Sequence, residues 1–423
     1  MKKVTSALSV SLLLSACGGG GGGGGSGPAP QAVTAPTTSS TTTASVPIVV
    51  PAALNNIVPV FYDGYTGPSA QWNAWNRPTV DVTICNSSNV CSTLTNIVLD
   101  TASYGLRIDH SVVPPGFPAL PPLVDSQFGA LANCADFISG YMWGGVYTAT
   151  VKMGGEVAAN IPVMVYNDPN VSSTAPTNCT SASPTNIGNV NDLGGNGILG
   201  VGPQLNSGTA SYYSVSSCNA SSSCAEVTVP ESDALPNPVS AFAADYNGFI
   251  LIPQGNGVAA SSTSNLVFGI NTQSNNQVTG YTIVNTNVAG NVNVAVTDTS
   301  NYVNNAISYF DTGTVDQEVY LANPQPTYSG EISNGIDANL TLPLTISSPI
   351  DTTSYTGSFL TTKASTDFSS IFLSIPGITS QLTAKGVTVL GSAYYLSHSV
   401  AEILPSPGAT VGTTNYYRSY GIK

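Results

Sequence analysis

Alternation of apolar and polar residues is the main pattern along this chain. Successive residues of a strand point to opposite faces, so a run in which β-branched and polar residues alternate predicts a strand with one buried face. Clusters of Gly, Pro, Asn and Ser separate these runs, as in proteins built from short strands and turns. The predicted strands cover 79–84, 148–153, 160–166, 248–253, 265–270, 292–298 and 339–346. We therefore predict an all-β chain with long loops and few short helices, one of them over 366–377.

Two of the apolar runs end in aspartate and continue in the same way. The first reads NIVLDTASYG over 96–105, and the second reads SYFDTGTVDQ over 308–317. An apolar-apolar-Gly triplet follows each of them, ILG at 198–200 and VLG at 389–391. A single Asp-Thr turn most often satisfies only its own backbone. The repetition instead favours one site that is shared by two similar halves of the chain.

The order of these motifs resembles that of the pepsin-like aspartic peptidases, in which each of two β lobes contributes an Asp-Thr-Gly turn beside an apolar-apolar-Gly strand. NGILGVGP (196–203) is similar to a first-lobe segment that reads DGILGL in that family. NLVFGI…TGYTIV (265–284) resembles the end of the first lobe, and GVTVLGSAYYLSHSV (386–400) resembles a strand near the C-terminus. The resemblance implies a bilobed double barrel with an interlobe cleft, with lobes over 46–278 and 279–423.

A second resemblance is closer. An uncharacterised family of bacterial secreted proteins and lipoproteins has a Cys-bounded turn before a VDTGSSGLRI-type sequence and a GY-W-G segment after it. Here CNSSNVCSTLTNIVLDTASYGLRI (85–108) and FISGYMWGGV (137–146) have this form. That family has no established activity, so the resemblance leaves open whether the cleft catalyses a reaction or only binds a ligand.

Paired aspartates have a chemistry of their own. Two carboxylates about 3 Å apart cannot both ionise cheaply, so they share a proton and one pKa rises. One of them can then take a proton from a bound water while the other donates to a substrate carbonyl, without a metal, histidine or cofactor. The resemblance implies that Asp100 and Asp311 form the pair. It also implies that Thr101 and Thr312 lock the two turns and that Ser103 and Thr314 bond the outer carboxylate oxygens.

Several residues depart from the peptidase pattern. Ala102 takes the place of the first glycine, and Arg107 lies where the peptidases usually have an aromatic residue. A guanidinium close to Asp100 would favour the doubly ionised pair, although a solvated strand residue is the simpler interpretation of Arg107. Asp316 and Glu318 follow the second motif, where small or apolar residues are usual.

A flap over the site would lie in the hairpin predicted at 139–150. Tyr141 and Trp143 are the candidates for covering the aspartates. Packing in the core is the alternative for both, because aromatic residues in β proteins are most often buried.

Composition narrows the classes of partner. Only 7% of the 423 residues are charged, and 9 basic against 22 acidic residues give a formal charge of −13. This balance argues against nucleic acid as a partner, because phosphate binding needs clustered Lys and Arg. We expect no cofactor and no metal, since no CxxC occurs and the two histidines, His110 and His398, lie far apart. A serine hydrolase is disfavoured, because no G-x-S-x-G occurs.

Six cysteines follow the N-terminal region, an even number that predicts disulfides in an exported chain. Two of the spacings are short, with five residues between Cys85 and Cys91 and between Cys218 and Cys224. Both predict local disulfides, which leaves Cys134 to pair with Cys179. Six cysteines allow fifteen connectivities, so short spacing is a prior and not a derivation.

The N-terminus reads MKKVTSALSVSLLLSAC, which is typical of a secretory signal. It closely resembles the bacterial lipobox, which implies a signal peptide over 1–16 and a lipid on Cys17; an ordinary signal peptide that contains a cysteine is the alternative. Gly18 rather than Asp after the cysteine implies the outer membrane, by analogy with Gram-negative lipoproteins. Residues 17–45, rich in Gly, Pro, Thr and Ser, predict a disordered tether.

Three functions remain open. The first is an aspartic-type endopeptidase, or a diverged hydrolase, at the cell envelope. The second is a non-catalytic lipoprotein on the same fold that binds a peptide or a glycan. The third is a surface scaffold whose cleft has no ligand. In each case we expect a monomer, a membrane contact through the lipid anchor only and, for the first two, a ligand held in the cleft.

Overall fold

The computed structural model describes residues 56–62, 77–114, 119–137, 139–181, 185–188, 193–218, 224–254, 263–297, 303–314, 340–361, 387–405 and 418–423. The chain divides into two compact units, Met1–Leu54 and Asn55–Lys423, and every described residue belongs to the second unit. The predicted signal peptide, Cys17, the tether, Asp316, Glu318 and the predicted helix at 366–377 lie outside the described residues. No helix in the described ranges is long and apolar enough to cross a membrane.

The described residues are mainly strands, as the alternation predicts. The strands are β1 (Ile57–Phe61), β2 (Thr79–Cys85), β3 (Cys91–Asp100), β4 (Tyr104–Asp109), β5 (Val124–Asp125), β6 (Gly129–Phe137), β7 (Gly140–Met153), β8 (Glu156–Tyr166), β9 (Gly197–Val201), β10 (Tyr212–Ser214), β11 (Glu226–Val227), β12 (Gly248–Gln254), β13 (Thr263–Phe268), β14 (Thr282–Asn285), β15 (Val292–Thr297), β16 (Val303–Asp311), β17 (Leu340–Ser347), β18 (Ser354–Thr361), β19 (Val387–Gly391), β20 (Val400–Ile403) and β21 (Ser419–Ile422). The predicted all-β class is confirmed, and each of the seven predicted runs overlaps a strand, although 265–270 extends past the end of β13 and residues 298 and 339 lie outside the described residues.

Helical structure in the described ranges is brief. The α-helices are α1 (Thr177–Thr180) and α2 (Ser392–Tyr395), and the single 3-10 turns are His110–Val112, Val215–Ser217, Glu231–Asp233 and Val239–Ala241. Of these, α2 matters for the site, because it follows β19 directly and positions Tyr395.

The strands form two sheets. The larger has the order β11-β10-β6-β7-β8-β4-β9-β3-β2-β1-β13-β12-β20-β21-β14, and the smaller has the order β18-β17-β15-β16-β19. In the larger sheet β2 also pairs with β7, which closes β2, β3, β9, β4, β8 and β7 into a barrel. A closed barrel leaves none of these strands with an unpaired edge.

The internal repeat of the sequence is a repeat of pairing. Strand β3 lies parallel to β9, with Asp100 opposite Gly200. Strand β16 lies parallel to β19, with Asp311 opposite Gly391. Each aspartate therefore ends a strand at the same position relative to its apolar-apolar-Gly neighbour. The two carboxylates therefore occupy equivalent positions, each at the end of a strand and beside the glycine of the neighbouring parallel strand.

One hydrophobic cluster continues through both halves of the described chain. It contains Leu99 and Leu199 from the first half and Phe310 and Leu390 from the second, all fully buried. Phe310 packs on Tyr420, with ring centroids 4.3 Å apart. Because these residues flank the two aspartate turns, the core fixes the strand ends that carry the site.

Three disulfides are present, and the predicted pairing is confirmed. Cys85–Cys91 closes the hairpin of β2 and β3, where the two residues are opposite each other. Cys134–Cys179 ties β6 to α1. Cys218–Cys224 closes a short loop before β11. Closing these loops restricts the unfolded chain and so favours the folded one.

Candidate functional site

The first Asp-Thr turn fixes the Asp100 carboxylate with three hydrogen bonds. Oδ1 accepts from the backbone N–H groups of Ala102 and Ser103, at 2.9 and 3.1 Å. Oδ2 accepts from the hydroxyl of Ser103 at 2.7 Å. Asp100 is itself buried, so its orientation is set by the turn and not by solvent.

The second turn has the same pattern. Asp311 Oδ1 accepts from the backbone N–H of Gly313 at 2.8 Å, and Oδ2 accepts from the hydroxyl of Thr314 at 2.6 Å. Ser103 and Thr314 therefore hold equivalent oxygens, as the resemblance implied. Each turn presents one carboxylate in a fixed rotamer.

Gly313 lies between the two carboxylates. A Cβ built on it would lie 3.2 Å from Asp100 Oδ1 and 3.0 Å from Asp311 Oδ1. The two oxygens are thus no further apart than the sum of these distances, which is within the span of one bridging water that lies about 3.2 Å from each. The same Cβ would lie 3.0 Å from Asp100 Cγ, so a side chain here would press on both carboxylates. We call Asp100 and Asp311 the aspartate pair.

Thr101 and Thr312 join the turns reciprocally, and we call them the threonine pair. The N–H of each donates to the hydroxyl oxygen of the other, at 3.1 Å in both directions. The Thr101 hydroxyl donates to the carbonyl of Phe310 at 3.2 Å, and the Thr312 hydroxyl donates to that of Leu99 at 2.6 Å. Both threonines are fully buried. The structure therefore brings all six of the predicted residues of the two turns together.

The electrostatics of the aspartate pair favour a shared proton. Burial first, and then the charge of Asp100, raise the pKa of Asp311 to about 7. The hydrogen bonds from Thr314 and Gly313 act in the opposite direction. Asp311 is therefore the member that keeps its proton through the acid range, up to about pH 7, as expected when two carboxylates occupy one buried site.

Arg107 is not the solvated strand residue that its charge suggested. It is buried, donates from Nη1 to the carbonyl of Tyr104 at 2.6 Å, and places its guanidinium carbon 5.7 Å from the ring centroid of Phe137. Burial lowers the pKa of Arg107, against the effects of Tyr212 and Asp100. The packing surface of the guanidinium explains the correction, because a planar cation can lie over an aromatic ring.

Arg77 is a second cation near the site, and sequence reasoning missed it. It is partly buried and donates to the carbonyl of Leu193. Burial lowers the pKa of Arg77, and both Asp100 and Asp311 act to raise it. The available signal was its rarity, since the chain has only 9 basic residues.

The flap candidates lie elsewhere. In the hairpin of β6 and β7, Phe137 is opposite Gly140 and Cys134 is opposite Trp143, which puts Tyr141 and Trp143 on the face away from Phe137. Trp143 donates to the carbonyl of Ser172 at 2.8 Å. Both aromatic residues line a cavity of about 450 Å³ together with Asp168 and Asn186. The aromatic residue that packs on Arg107 is Phe137, which sequence reasoning did not select.

A buried glutamate lies beneath the threonine pair. The Tyr395 hydroxyl of α2 lies 3.0 Å from Thr101 Oγ1 and 3.0 Å from Glu402 Oε1 of β20. Only 1% of Glu402 is exposed. Burial raises the pKa of Glu402 well above its usual range, and the charges of Asp100 and Asp311 add to the effect, whereas the nearby hydroxyl groups of Tyr395 and Thr101 act in the opposite direction.

Metal ligation has little support in the described ranges. The group with suitable geometry is Cys134, Asp136 and Cys179. Its two cysteines form a disulfide, and a metal binds the thiolate form of cysteine rather than a disulfide sulfur.

Comparisons with known proteins agree with this geometry. A family model described as "Protein of unknown function (DUF3443)" matches residues 52–418. Among solved structures, the aspartic proteinase from Irpex lacteus is similar, with a TM-score of 0.52 and 15% identity over 86% of this chain and 96% of that chain. None of the curated proteins matches in sequence. The suspected resemblance to the pepsin-like fold and to an uncharacterised family is confirmed, and at this identity the structural likeness concerns the fold alone.

Proposed function

We propose a function for this chain, which belongs to the DUF3443 family of proteins of unknown function. The proposal is that the aspartate pair hydrolyses peptide bonds at acid pH. The observation that carries the proposal is the joined pair itself. Asp100 and Asp311 face each other across Gly313, held by reciprocal bonds of the threonine pair, and the pKa of Asp311 is raised to about 7. The likeness to an aspartic proteinase from Irpex lacteus is consistent with this reaction.

The reaction needs only the pair and one water. Asp100 would take a proton from the water as its oxygen attacks the peptide carbonyl carbon, and Asp311 would give its proton to the carbonyl oxygen. The resulting diol would return a proton to Asp311 as the C–N bond breaks, and Asp100 would pass its proton to the leaving nitrogen. One water is consumed, and both carboxyls regain their starting states.

The experiment is cleavage of an unfolded protein and of fluorogenic peptides between pH 3 and 7. We expect an acid optimum, inhibition by a peptide that carries a hydroxyl in place of the scissile bond, and a loss of at least about hundredfold in Asp100→Asn and Asp311→Asn. Asp81→Asn, an exposed aspartate of β2, is the matched control and should cleave normally. Cleavage by either site variant at the normal rate would exclude the pair as the catalyst.

A second candidate function is binding without cleavage, and the two arginines favour it. Arg77 and Arg107 both lie within the electrostatic influence of Asp100. Positive charge favours ionisation of both carboxylates and so opposes the shared proton that hydrolysis needs. Peptides or glycans that bind with micromolar affinity and are recovered intact at every pH would support this function over hydrolysis.

The position of the protein in the cell is part of the same proposal. The lipobox motif at Cys17 supports a lipid-anchored protein of the cell envelope, with Gly18 pointing to the outer membrane. We expect Cys17→Ser to leave the protein unprocessed and free of the membrane fraction. Mass spectrometry of the N-terminal peptide checks this, and a mature N-terminus elsewhere without an acyl group would exclude the anchor.

A further inference from the structure

A buried chain of oxygen atoms connects the threonine pair to a carboxyl group. Thr101 Oγ1, Tyr395 Oη and Glu402 Oε1 follow one another at 3.0 and 3.0 Å. Thr101 and Tyr395 are fully buried, and Glu402 is 1% exposed. No step of the proposed hydrolysis uses Tyr395 or Glu402, so their place beneath the pair needs another explanation.

Counting hydrogens favours one direction for the hydrogen bonds that join these three oxygens. Thr101 has one hydroxyl hydrogen, and its contact with the carbonyl of Phe310 requires it, because a carbonyl only accepts. Thr312 makes the equivalent donation to Leu99, so the symmetry of the threonine pair supports the same assignment. The hydrogen between Thr101 and Tyr395 must then come from Tyr395. Tyr395 has no second hydrogen for Glu402.

We propose that Glu402 is a protonated carboxylic acid that donates to Tyr395, and that through Tyr395 and Thr101 it is a positioning residue for the aspartate pair. Its hydrogen completes a chain in which every hydroxyl donates once. The inference rests on the proposed function only for its effect on catalysis, since the protonation of Glu402 can be measured in the resting protein.

The surroundings of Glu402 are consistent with a neutral group. Its Oε2 has no hydrogen-bond partner in the described part of the chain, which is far less costly for a neutral carbonyl oxygen than for an ionised carboxylate. In register beside it on β12 is Phe249, an apolar residue. The titratable groups that act on it are Tyr395 of α2, Tyr420 of β21, Tyr104 of β4, Asp100 of β3 and Asp311 of β16. The nearest cation to this set is Arg418, just before β21, which acts on Tyr420 and Tyr104.

Ionisation of Glu402 would reverse the hydrogen bond between Glu402 and Tyr395. The Tyr395 hydrogen would turn toward the new carboxylate, and Thr101 Oγ1 would lose a donor. Since Thr101 also accepts the N–H of Thr312 at 3.1 Å, the change acts directly on the link between the two aspartate turns. Glu402 is therefore expected to couple pH to the geometry of the pair.

Labelling provides the direct test. The chain has six glutamates, at 156, 226, 231, 318, 331 and 402. Protein made with 13Cδ-glutamate should give six carboxyl signals, and the signal that Glu402→Gln removes should have the shift of a protonated acid at pH 7. An ionised Glu402 signal in the folded protein at pH 7 would overturn the inference, whether or not the protein cleaves peptides.

Unfolding supplies a second readout. Glutamine can donate from Nε2 to Tyr395 at every pH, so Glu402→Gln should fold and keep the hydrogen bonds that lead from residue 402 through Tyr395 to Thr101. The ratio of unfolding constants, native over Glu402→Gln, should rise by up to about tenfold per pH unit above about pH 4.3, the usual glutamate value. Equal pH dependence in the two proteins would overturn the inference. Glu231→Gln, at an exposed glutamate, is the control and should leave the profile unchanged.

Kinetics then separate positioning from simple stability. If the protein cleaves peptides, Glu402→Gln should keep the acid kcat and retain it to higher pH with KM unchanged, whereas Glu402→Leu should lower kcat at all pH values. Identical kcat profiles for native and Glu402→Gln protein would overturn the positioning role. Absence of cleavage in native protein would count against the proposed function alone, because the labelling and unfolding results would still determine the state of Glu402.

Discussion

Replacing Thr312 with valine tests how firmly the two Asp-Thr turns are joined. Valine has nearly the shape of threonine without its hydroxyl. In the structure this hydroxyl donates to the Leu99 carbonyl at 2.6 Å and accepts the Thr101 N–H at 3.1 Å. Thr312 is fully buried, so water cannot take the place of either bond. The substitution therefore leaves two backbone groups without a partner.

The expected cost follows from those two groups. A buried donor or acceptor that loses its partner costs about 1–3 kcal/mol, so Thr312→Val should lower the free energy of unfolding by about 2–4 kcal/mol after partial relaxation. Thr93→Val is the matched control, since Thr93 is exposed on β3 and bonds Thr83. A surface change of this kind should stay within about 0.5 kcal/mol.

Urea unfolding followed by tryptophan fluorescence measures both variants. Thr101→Val and the double variant complete a cycle, and because the bonds are reciprocal the two losses should not add; a coupling of about 0.5–3 kcal/mol is expected. If Thr312→Val proved no more destabilising than Thr93→Val, the threonine pair would not hold the turns together and the reasoning for a fixed site would be wrong.

Three further predictions concern the pair and its neighbours. Gly313→Ala should destabilise the fold by about 1–3 kcal/mol and reduce any cleavage, because its methyl group would meet Asp100 Cγ and Asp311 Oδ1 at 3.0 Å; urea unfolding and peptide assays check this. Arg107→Met should keep the packing on Phe137 but remove a cation, so the pKa of the aspartate pair should rise. The pH–rate profile or a 13Cγ-aspartate titration measures this pKa, and an unchanged titration would show that Arg107 does not act on the pair. Asp311→Asn should gain stability relative to native protein as pH rises from about 4 to 7. Over this range the unfolded native chain loses the Asp311 proton while the fold still holds it, because the pKa in the fold is raised to about 7, so only the native protein loses stability. Equal pH dependence of the two free energies of unfolding would contradict the raised pKa.

The strands and the paired turns could be predicted because their signals are local. Period-two alternation marks the seven predicted strands, and the repeated Asp-Thr motif with its apolar-apolar-Gly partner is sufficient to predict that Asp100 and Asp311 occupy equivalent positions. The short spacings of Cys85–Cys91 and Cys218–Cys224 likewise reflect geometry within one loop.

The neighbours of the pair could not be predicted, because each depends on register or on distant packing. A shift of one residue exchanges the faces of a strand, and this separates Phe137 from Tyr141 and Trp143 in the same hairpin. Arg107 is buried because an aromatic ring from another strand covers it. Glu402 lies within the apolar run VAEIL, and a polar residue in such a run is the signal that could have marked it.

Two other buried carboxyl groups have pKa values that are raised, as that of Asp311 is. Burial raises the pKa of Glu156 to about 7, and Asp245 beside it adds to the shift, and burial likewise raises the pKa of Glu402 well above its usual range. A carboxyl with a raised pKa keeps its proton in the fold where the unfolded chain has lost it, from about pH 4.3 up to about pH 7 for Glu156, so each stabilises the native state at acid pH relative to neutral pH. The proposed hydrolysis needs Asp311 protonated in that same range. The stability of the fold and the proposed reaction are thus both favoured at acid pH. The positive charges of Arg77 and Arg107 near Asp100 oppose the shared proton.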